Sequence, residues 1–132
     1  MTISESVFEH NWSLGRASIY SSEKATINSS LNTYFYNYAG EAGIAFMSLS
    51  SVFVSTEDSF DQNFGVNTGL FHVCDKSSLE LHDSTFKNTL AFQHILFNVV
   101  DIMSLLVLDS PIFESNGFGS DMDFMSPDHL IS

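Results

Sequence analysis

Apolar residues return along this chain every 27 positions. Ala25, Val52, Leu79 and Leu106 make one column, and Ile27, Val54, Leu81 and Leu108 make a second, two places further on. All eight positions are apolar, while the residues between them, Thr26, Phe53, Glu80 and Val107, are mixed. Alternation of this kind marks a strand with one face always buried. A further register carries Ala17, Ile44 and Phe71, with Ile19, Phe46 and Val73 two places on, and slips by about one residue near Phe97 and Val99. Aromatics recur too, at Phe8, Phe35, Phe60, Phe86 and Phe113, which the periodicity places inside the fold.

Each unit reads as two or three short strands punctuated by turn formers, in SSEK at 21–24, NSSLN at 28–32, STEDS at 55–59, DKSS at 75–78 and HDST at 82–85. A unit of this length cannot bury its own apolar face and must stack on its neighbours. Stacked copies of one strand form a parallel sheet with columns about 4.8 Å apart. The expected fold is all-β, a parallel β-helix of four to five coils over residues 1–117. It is right-handed, as parallel crossovers are in nearly all cases. Evenly spaced strands of an antiparallel β-sandwich would show the same turn density, and Ile95, Val99, Ile102 and Leu106 would make one stripe of a helix within 90–108. Residues 118–132 lose the repeat and turn acidic, reading as a cap or tail. The first coil begins near residue 3 without a polar cap, so the chain is expected to be a segment of a longer solenoid.

Composition narrows the partners. Sixteen acidic residues face four basic ones, a net charge of −12 in 132 residues. Arg16, Lys24, Lys76 and Lys87 cannot neutralise a run of phosphates, which excludes nucleic acid as a partner. The 44% apolar content suffices for a packed core. Cys74 is the single cysteine, so no internal disulfide or cysteine metal cluster is built. The stretch Leu90 to Leu108 is broken by Gln93, His94, Asn98, Asp101 and Ser104, which argues against a membrane span. The opening MTISESVF carries no secretion signal.

The aromatic and turn signals resemble the repeats of right-handed parallel β-helix proteins, and more narrowly those of chlamydial polymorphic outer-membrane proteins. Those repeats pair F-x-x-N with G-G-A-[ILV]. Here F-x-x-N stands at Phe8 to Asn11, Phe60 to Asn63 and Phe113 to Asn116, with Tyr34 to Asn37 a close variant and Phe86 followed by Asn88. The second motif is echoed in Gly43-Ile44-Ala45-Phe46 and Gly69-Leu70. Phe fills the interior beside a corner, while Asn accepts left-handed backbone angles and bonds its amide to the next coil. The resemblance implies a surface or secreted protein, with a non-enzymatic module serving as rigid spacer and adhesive or carbohydrate-contacting surface. It implies no chemistry and no cofactor. Partners under this reading are flanking coils and either carbohydrate or a cell-surface protein.

Polysaccharide-active enzymes of the pectate-lyase type share this shape, so acidic clusters matter. In the 27-residue register Ser55, His82 and Asp109 stack, as do Thr56, Asp83 and Ser110. Asp83 and Asp109 are the candidates for an acid and base pair. Glu57, Asp58, Asp61 and Asp83 are the candidates for a calcium site of oxygen ligands. Turn chemistry alone also accounts for these acids. His72 and Cys74 alternate on one strand with Asp101 expected one coil above, the residue types of a soft-metal or thiol site and equally of a surface His beside a partly buried thiol. His10, His94 and His129 lack partners at ligand spacing. Tyr34, Tyr36 and Tyr38 share one face of an extended segment, an exposed aromatic row for contact with sugars or a protein.

Overall fold

The computed structural model describes residues 1–94, 96–116 and the strand Leu130–Ile131. They form a parallel β-solenoid of about four coils, with no helix among the described residues. Each coil lays one strand on each of four faces. The first face holds Thr2–Ser4, Thr26–Ser30, Val52–Thr56, Ser78–His82 and Leu105–Asp109, with Leu130–Ile131 added beside the last. The second holds Val7–Glu9, Thr33–Phe35, Ser59–Asp61, Thr85–Lys87 and Ile112–Glu114. The third holds Trp12–Ser13, Tyr38–Ala39, Phe64–Gly65 and Leu90–Ala91, and the fourth Tyr20–Glu23, Ala45–Ser48, Phe71–Val73 and Phe97–Val99. Every strand pair is parallel, which overturns the sandwich alternative. Strands at Leu90–Ala91, Phe97–Val99 and Leu105–Asp109 likewise replace the helix considered for 90–108.

The period is 26 residues at most positions, not 27. Thr26 pairs with Val52 and Val52 with Ser78, while Ser78 pairs with Leu105, an interval of 27. The added residue lies between Val99 and Leu105, because Val73 and Val99 still pair 26 apart. The interior columns of the first face are therefore Ile27, Phe53, Leu79 and Leu106, and Ile3, Ser29, Ser55, Leu81 and Leu108. Val52 and Val54 point outward, and Val54 pairs with Asn28 and Glu80. On the fourth face the expected columns slip in the same way. Phe71 pairs with Ala45 and Phe97, and Phe46 pairs with His72 on the outside. Backbone hydrogen bonding fixes which residues oppose one another, and a single-residue slip exchanges inside for outside.

The core is a stack of rings. Phe8, Tyr34, Phe60, Phe86 and Phe113 lie one above another with centroids 5.0, 4.8, 5.1 and 5.3 Å apart. Phe71 and Phe97 meet this column edge to face, at 5.5 Å from Phe60 and 5.6 Å from Phe86. Offset stacks and T-shaped contacts of this kind add roughly 0.5–1.5 kcal/mol each beyond the apolar area they bury. Tyr34, not Phe35, fills the second place in the column, because the aromatic spacing there is 26 residues. Phe35 sits one residue on, between Glu9 and Asp61 on the outer side.

Three corners are built by one device. A residue with positive φ turns the chain, and the next side chain points inward to accept a backbone N–H from the preceding coil, except that no left-handed residue precedes Ser104 and that Pro111 follows the left-handed Ser110. At the first corner Ser6 N donates to Asn32 Oδ1 (2.8 Å), Asn32 N to Asp58 Oδ1 (2.8 Å) and Asp58 N to Ser84 Oγ (3.2 Å). At the second, Asn11 N donates to Asn37 Oδ1 (3.1 Å), Asn37 N to Asn63 Oδ1 (3.0 Å) and Thr89 N to Asn116 Oδ1 (3.1 Å). At a third, Ser51 N donates to Ser77 Oγ (3.1 Å) and Ser77 N to Ser104 Oγ (3.2 Å). The amide ladder is also direct, with Asn11 Nδ2 and Asn37 Nδ2 each donating to the next asparagine at 3.0 Å. The left-handed residues are the ones just before, Glu5, Leu31, Glu57, Asp83 and Ser110 at the first corner and His10, Tyr36, Gln62, Asn88 and Ser115 at the second. The inward asparagines of F-x-x-N are thus acceptors in the ladder, and the left-handed angle expected of them belongs to their predecessors.

Candidate functional site

The third face is thin inside and apolar outside. Its inward residues, Ser13, Ala39, Gly65 and Ala91, are small, so the chain passes close to the interior of the coil. A Cβ on Gly65 would overlap the backbone oxygen of Thr68, which makes glycine the only residue that fits without a shift. Side chains alternate along a strand, which leaves Trp12 and Leu14, Tyr38, Phe64 and Val66, and Leu90 and Phe92 facing outward in successive coils, with Gly40 at the matching position of the second coil, where a Cβ would run into the Leu14 backbone oxygen. None of these eight positions is charged, in a chain of net charge −12. Trp12 stacks on Tyr38 (6.1 Å, 18° between planes), Tyr38 on Phe64 (5.2 Å, 11°), and Phe64 meets Phe92 edge to face at 5.8 Å.

Beside this panel runs the second corner, whose left-handed residues project outward. Tyr36, Gln62 and Asn88, with Asn37, Tyr38, Asn63, Phe64 and Leu90, line a groove of about 590 Å³. Its polar edge carries amides and a phenol, and Asn88 Nδ2 donates to Asp61 Oδ1 at 2.9 Å. Tyr36 also stacks on His10 at 5.5 Å. The expected tyrosine row is therefore split. Tyr36 and Tyr38 reach this surface, whereas Tyr34 is fully buried, its hydroxyl 2.8 Å from Ser29 Oγ and 3.2 Å from Tyr20 Oη. Burial raises the Tyr34 hydroxyl well above the usual phenol range, so it stays neutral. The three tyrosines would share one face only of an unbroken strand. The corner at Tyr36 and Asn37 breaks it, and the signal that marks the corner is the Asn column itself.

The acidic candidates are dispersed. Glu57, Asp83 and Ser110 share the outward left-handed column of the first corner. Asp109 is one residue earlier, pairing in register with His82, and its carboxylate lies 3.3 Å from His82 Nδ1. His82 Nε2 is 3.7 Å from Glu80. The expected stack of Ser55 with His82 fails, because Ser55 pairs with Leu81 and points inward, and Thr56 takes the place beside His82. Asp58 is buried with its side chain inside the coil, accepting from Ser55 Oγ (2.6 Å) and from Asn32 N. Burial raises its pKa, against the lowering effect of hydrogen bonds from Ser29, Ser55 and Asn32. Asp61 stands on the outer side of the second face, between Phe35 and Lys87. Of the four candidate calcium ligands only Glu57 and Asp83 share a column, Asp58 pointing inward and Asp61 standing on the second face, and among the described residues no three His, Cys, Asp or Glu side chains gather as a metal cluster would.

The expected site of His72, Cys74 and Asp101 also separates. His72 stacks on Phe46 (4.5 Å) and lies 3.2 Å from Asn98 Nδ2, and burial lowers its pKa. Cys74 donates to the Met47 carbonyl, and burial followed by the neighbouring Asp75 pushes its thiol up to about 11. A thiol held protonated is a poor nucleophile. Asp101 instead accepts from Asp75 N (2.8 Å) and Ser104 Oγ (2.9 Å), closing the corner where the extra residue enters. His94 joins a line of bridges through Ala17, Ala42 and Thr68. His129 and most of the acidic segment 118–132 lie outside the described residues. No helix among the described residues is long and apolar enough to cross a membrane. Compared with protein-family models, curated proteins and solved structures, the chain finds no match in any of the three.

Proposed function

We propose that this chain is a non-enzymatic β-solenoid segment at a cell surface or in a secreted protein, acting as a rigid spacer that carries an adhesive panel on its third face. The observation that supports this reading is the charge-free outward set of Trp12, Leu14, Tyr38, Phe64, Val66, Leu90 and Phe92 on a strongly acidic chain. Apolar patches of this extent on an otherwise polar surface mark contact sites. Rigidity follows from the ring column and corner ladders, which tie every coil to the next. The surface location and the role of flanking coils rest on the resemblance to β-helix repeats.

A second reading, contact with carbohydrate, is favoured by the groove beside the panel, where Tyr36, Gln62 and Asn88 offer uncharged hydrogen-bonding groups next to Tyr38 and Phe64. The enzyme reading draws on Asp83 and Asp109. Both are exposed turn or strand-end residues, and Asp109 is already engaged by His82. A decisive experiment incubates the chain with neutral and acidic polysaccharides and measures both retention and new chain ends. The carbohydrate reading expects retention without cleavage, reduced by Phe64→Ser and unchanged by Asp83→Asn with Asp109→Asn, whereas the spacer with its adhesive panel expects no cleavage whether or not a glycan is retained. Cleavage that the two Asn substitutions abolish would replace the proposal with the enzyme reading.

A further inference from the structure

The third-face panel has a shape that selects its partner. Its rings stand one above another, so Tyr38 has its two faces covered by Trp12 and Phe64. A sugar ring stacks on an open aromatic face, and here the inner rungs present ring edges instead. The result is a set of apolar ridges, one per coil, separated by the strand spacing of about 4.8 Å. A partner that interlocks with all four ridges must repeat at the same pitch and must be free of charge along that line. A second copy of this chain meets both conditions.

Resting on the reading of this face as adhesive, we infer that its partner is the same face of a second copy, packed sheet on sheet about a two-fold axis. With the two solenoids pointing in opposite directions, the first coil of one faces the fourth coil of the other. Trp12 then meets Leu90, Leu14 meets Phe92, Tyr38 meets Phe64 and Gly40 meets Val66, so that in three of the four pairs a larger side chain opposes a smaller one. The rims also agree. Arg16 turns away from the panel, over Phe46 and toward Glu23 of the fourth face, Glu41 comes opposite Asn67, and His10 and Tyr36 come opposite Asn88 and Gln62. No like charges are brought together at the rims.

The area suffices for a reversible dimer. Trp12 is 67%, Leu14 76%, Tyr36 54% and Phe92 79% exposed. With aromatic side chains of roughly 150–250 Å² each, the panel offers on the order of 600 Å², close to the ~800 Å² per partner of a standard interface. Isologous pairing is also the commonest form of self-assembly. The net charge of −12 on each copy opposes the approach of two copies and is screened by salt.

Sedimentation of the intact chain across a wide concentration range tests this. The expected result is a monomer–dimer equilibrium that tightens as sodium chloride is raised. Phe92→Glu and Val66→Glu, both at outward positions, should each weaken it by at least about tenfold, or ~1.4 kcal/mol. Val54→Glu, outward on the first face, should leave it unchanged, and circular dichroism should report the same β fold for all three. A dimer indifferent to both panel substitutions, or a chain monomeric at every concentration, overturns the inference. A monomer that binds an immobilised neutral glycan in a Phe92-dependent way overturns self-association while keeping the adhesive reading. A monomer that binds neither overturns both.

Discussion

Among the described residues Asp58 is the one acidic side chain buried at a corner. Its neighbour in the ladder, Asn32, shows what the position takes without one, since Asn32 accepts from Ser6 N through Oδ1 and donates through Nδ2 to Ser29 Oγ, three residues before it. Asp58 has the same relation to Ser55. An asparagine there would donate to Ser55 Oγ, and Ser55 would turn its proton to Ser84 Oγ, 3.0 Å away. Burial raises the folded-state pKa of Asp58 above its ordinary value of 3.8. Ionisation therefore opposes folding, with no effect below the unfolded pKa and the full cost above the raised one. Asp58→Asn should raise stability at neutral pH by on the order of 1 kcal/mol, and the gain should shrink as pH falls toward 3.8. Denaturant melts at pH 7 and at pH 3.5 check this, and a gain equal at both values would contradict it. At this scale the sequence was partly readable. The F-x-x-N asparagines announced the ladder, but the left-handed residues were hidden, because Leu31, Tyr36 and Lys24 are not residues that sequence reasoning assigns to positive φ.

At the scale of the strand and coil, the ring column tests the register. Phe60 is fully buried between Tyr34 and Phe86, whereas Phe35, which the 27-residue spacing would put inside, lies on the outer side of its strand. Phe60→Ala should cost about 3–5 kcal/mol, as large-to-small changes in a packed core do. Phe35→Ala should cost less than about 1 kcal/mol. Urea denaturation of both variants measures the difference, and equal losses would place Phe35 in the core. Gly65 makes the complementary test of the third face. Gly65→Ala forces the chain away from the Thr68 backbone and should destabilise by roughly 1–3 kcal/mol, although it adds only a methyl group and removes nothing. A thermal melt unchanged by that substitution would show that the close approach is absent. The 27-residue columns were legible because the real interval from Leu79 to Leu106 is 27, and because Val52 and Val54 are apolar yet outward. Hydrophobicity alone cannot separate an interior valine from one on an apolar outer face. The backbone ladder does.

Most of the molecule follows from one rule repeated at three of the four corners of the coil: a strand, a left-handed residue, an inward polar side chain, and a new strand. That rule accounts for the even turn density and for nearly every donor finding a partner in the next coil. It made the solenoid readable from 132 residues, since turn chemistry and apolar recurrence both report the coil. The contact panel was less readable. Trp12, Tyr38, Phe64 and Leu90 stand 26 residues apart, but their outward direction depends on a corner that no single residue reveals, and their neighbours Leu14, Val66 and Phe92 look like core in a linear reading. The acidic turns misled in the opposite sense. Glu57, Asp58 and Asp61 cluster along the sequence and Asp83 and Asp109 follow at about one coil's interval, while the coil sends the five inward, outward and onto different faces.

The central claim is that coils stack in parallel with residues of the first face 26 apart opposed through the third coil. Inter-strand nuclear Overhauser contacts in the isotopically labelled chain test it most directly, read at the backbone of Val54. The structure predicts contacts from Val54 to Asn28 on one side and to Glu80 on the other, at the spacing of adjacent parallel strands, about 4.8 Å. Contacts from Val54 to Ile27 and Leu81 would restore the 27-residue register and turn the first face inside out. Contacts to a nearby strand of its own coil in antiparallel pairing would contradict the solenoid itself.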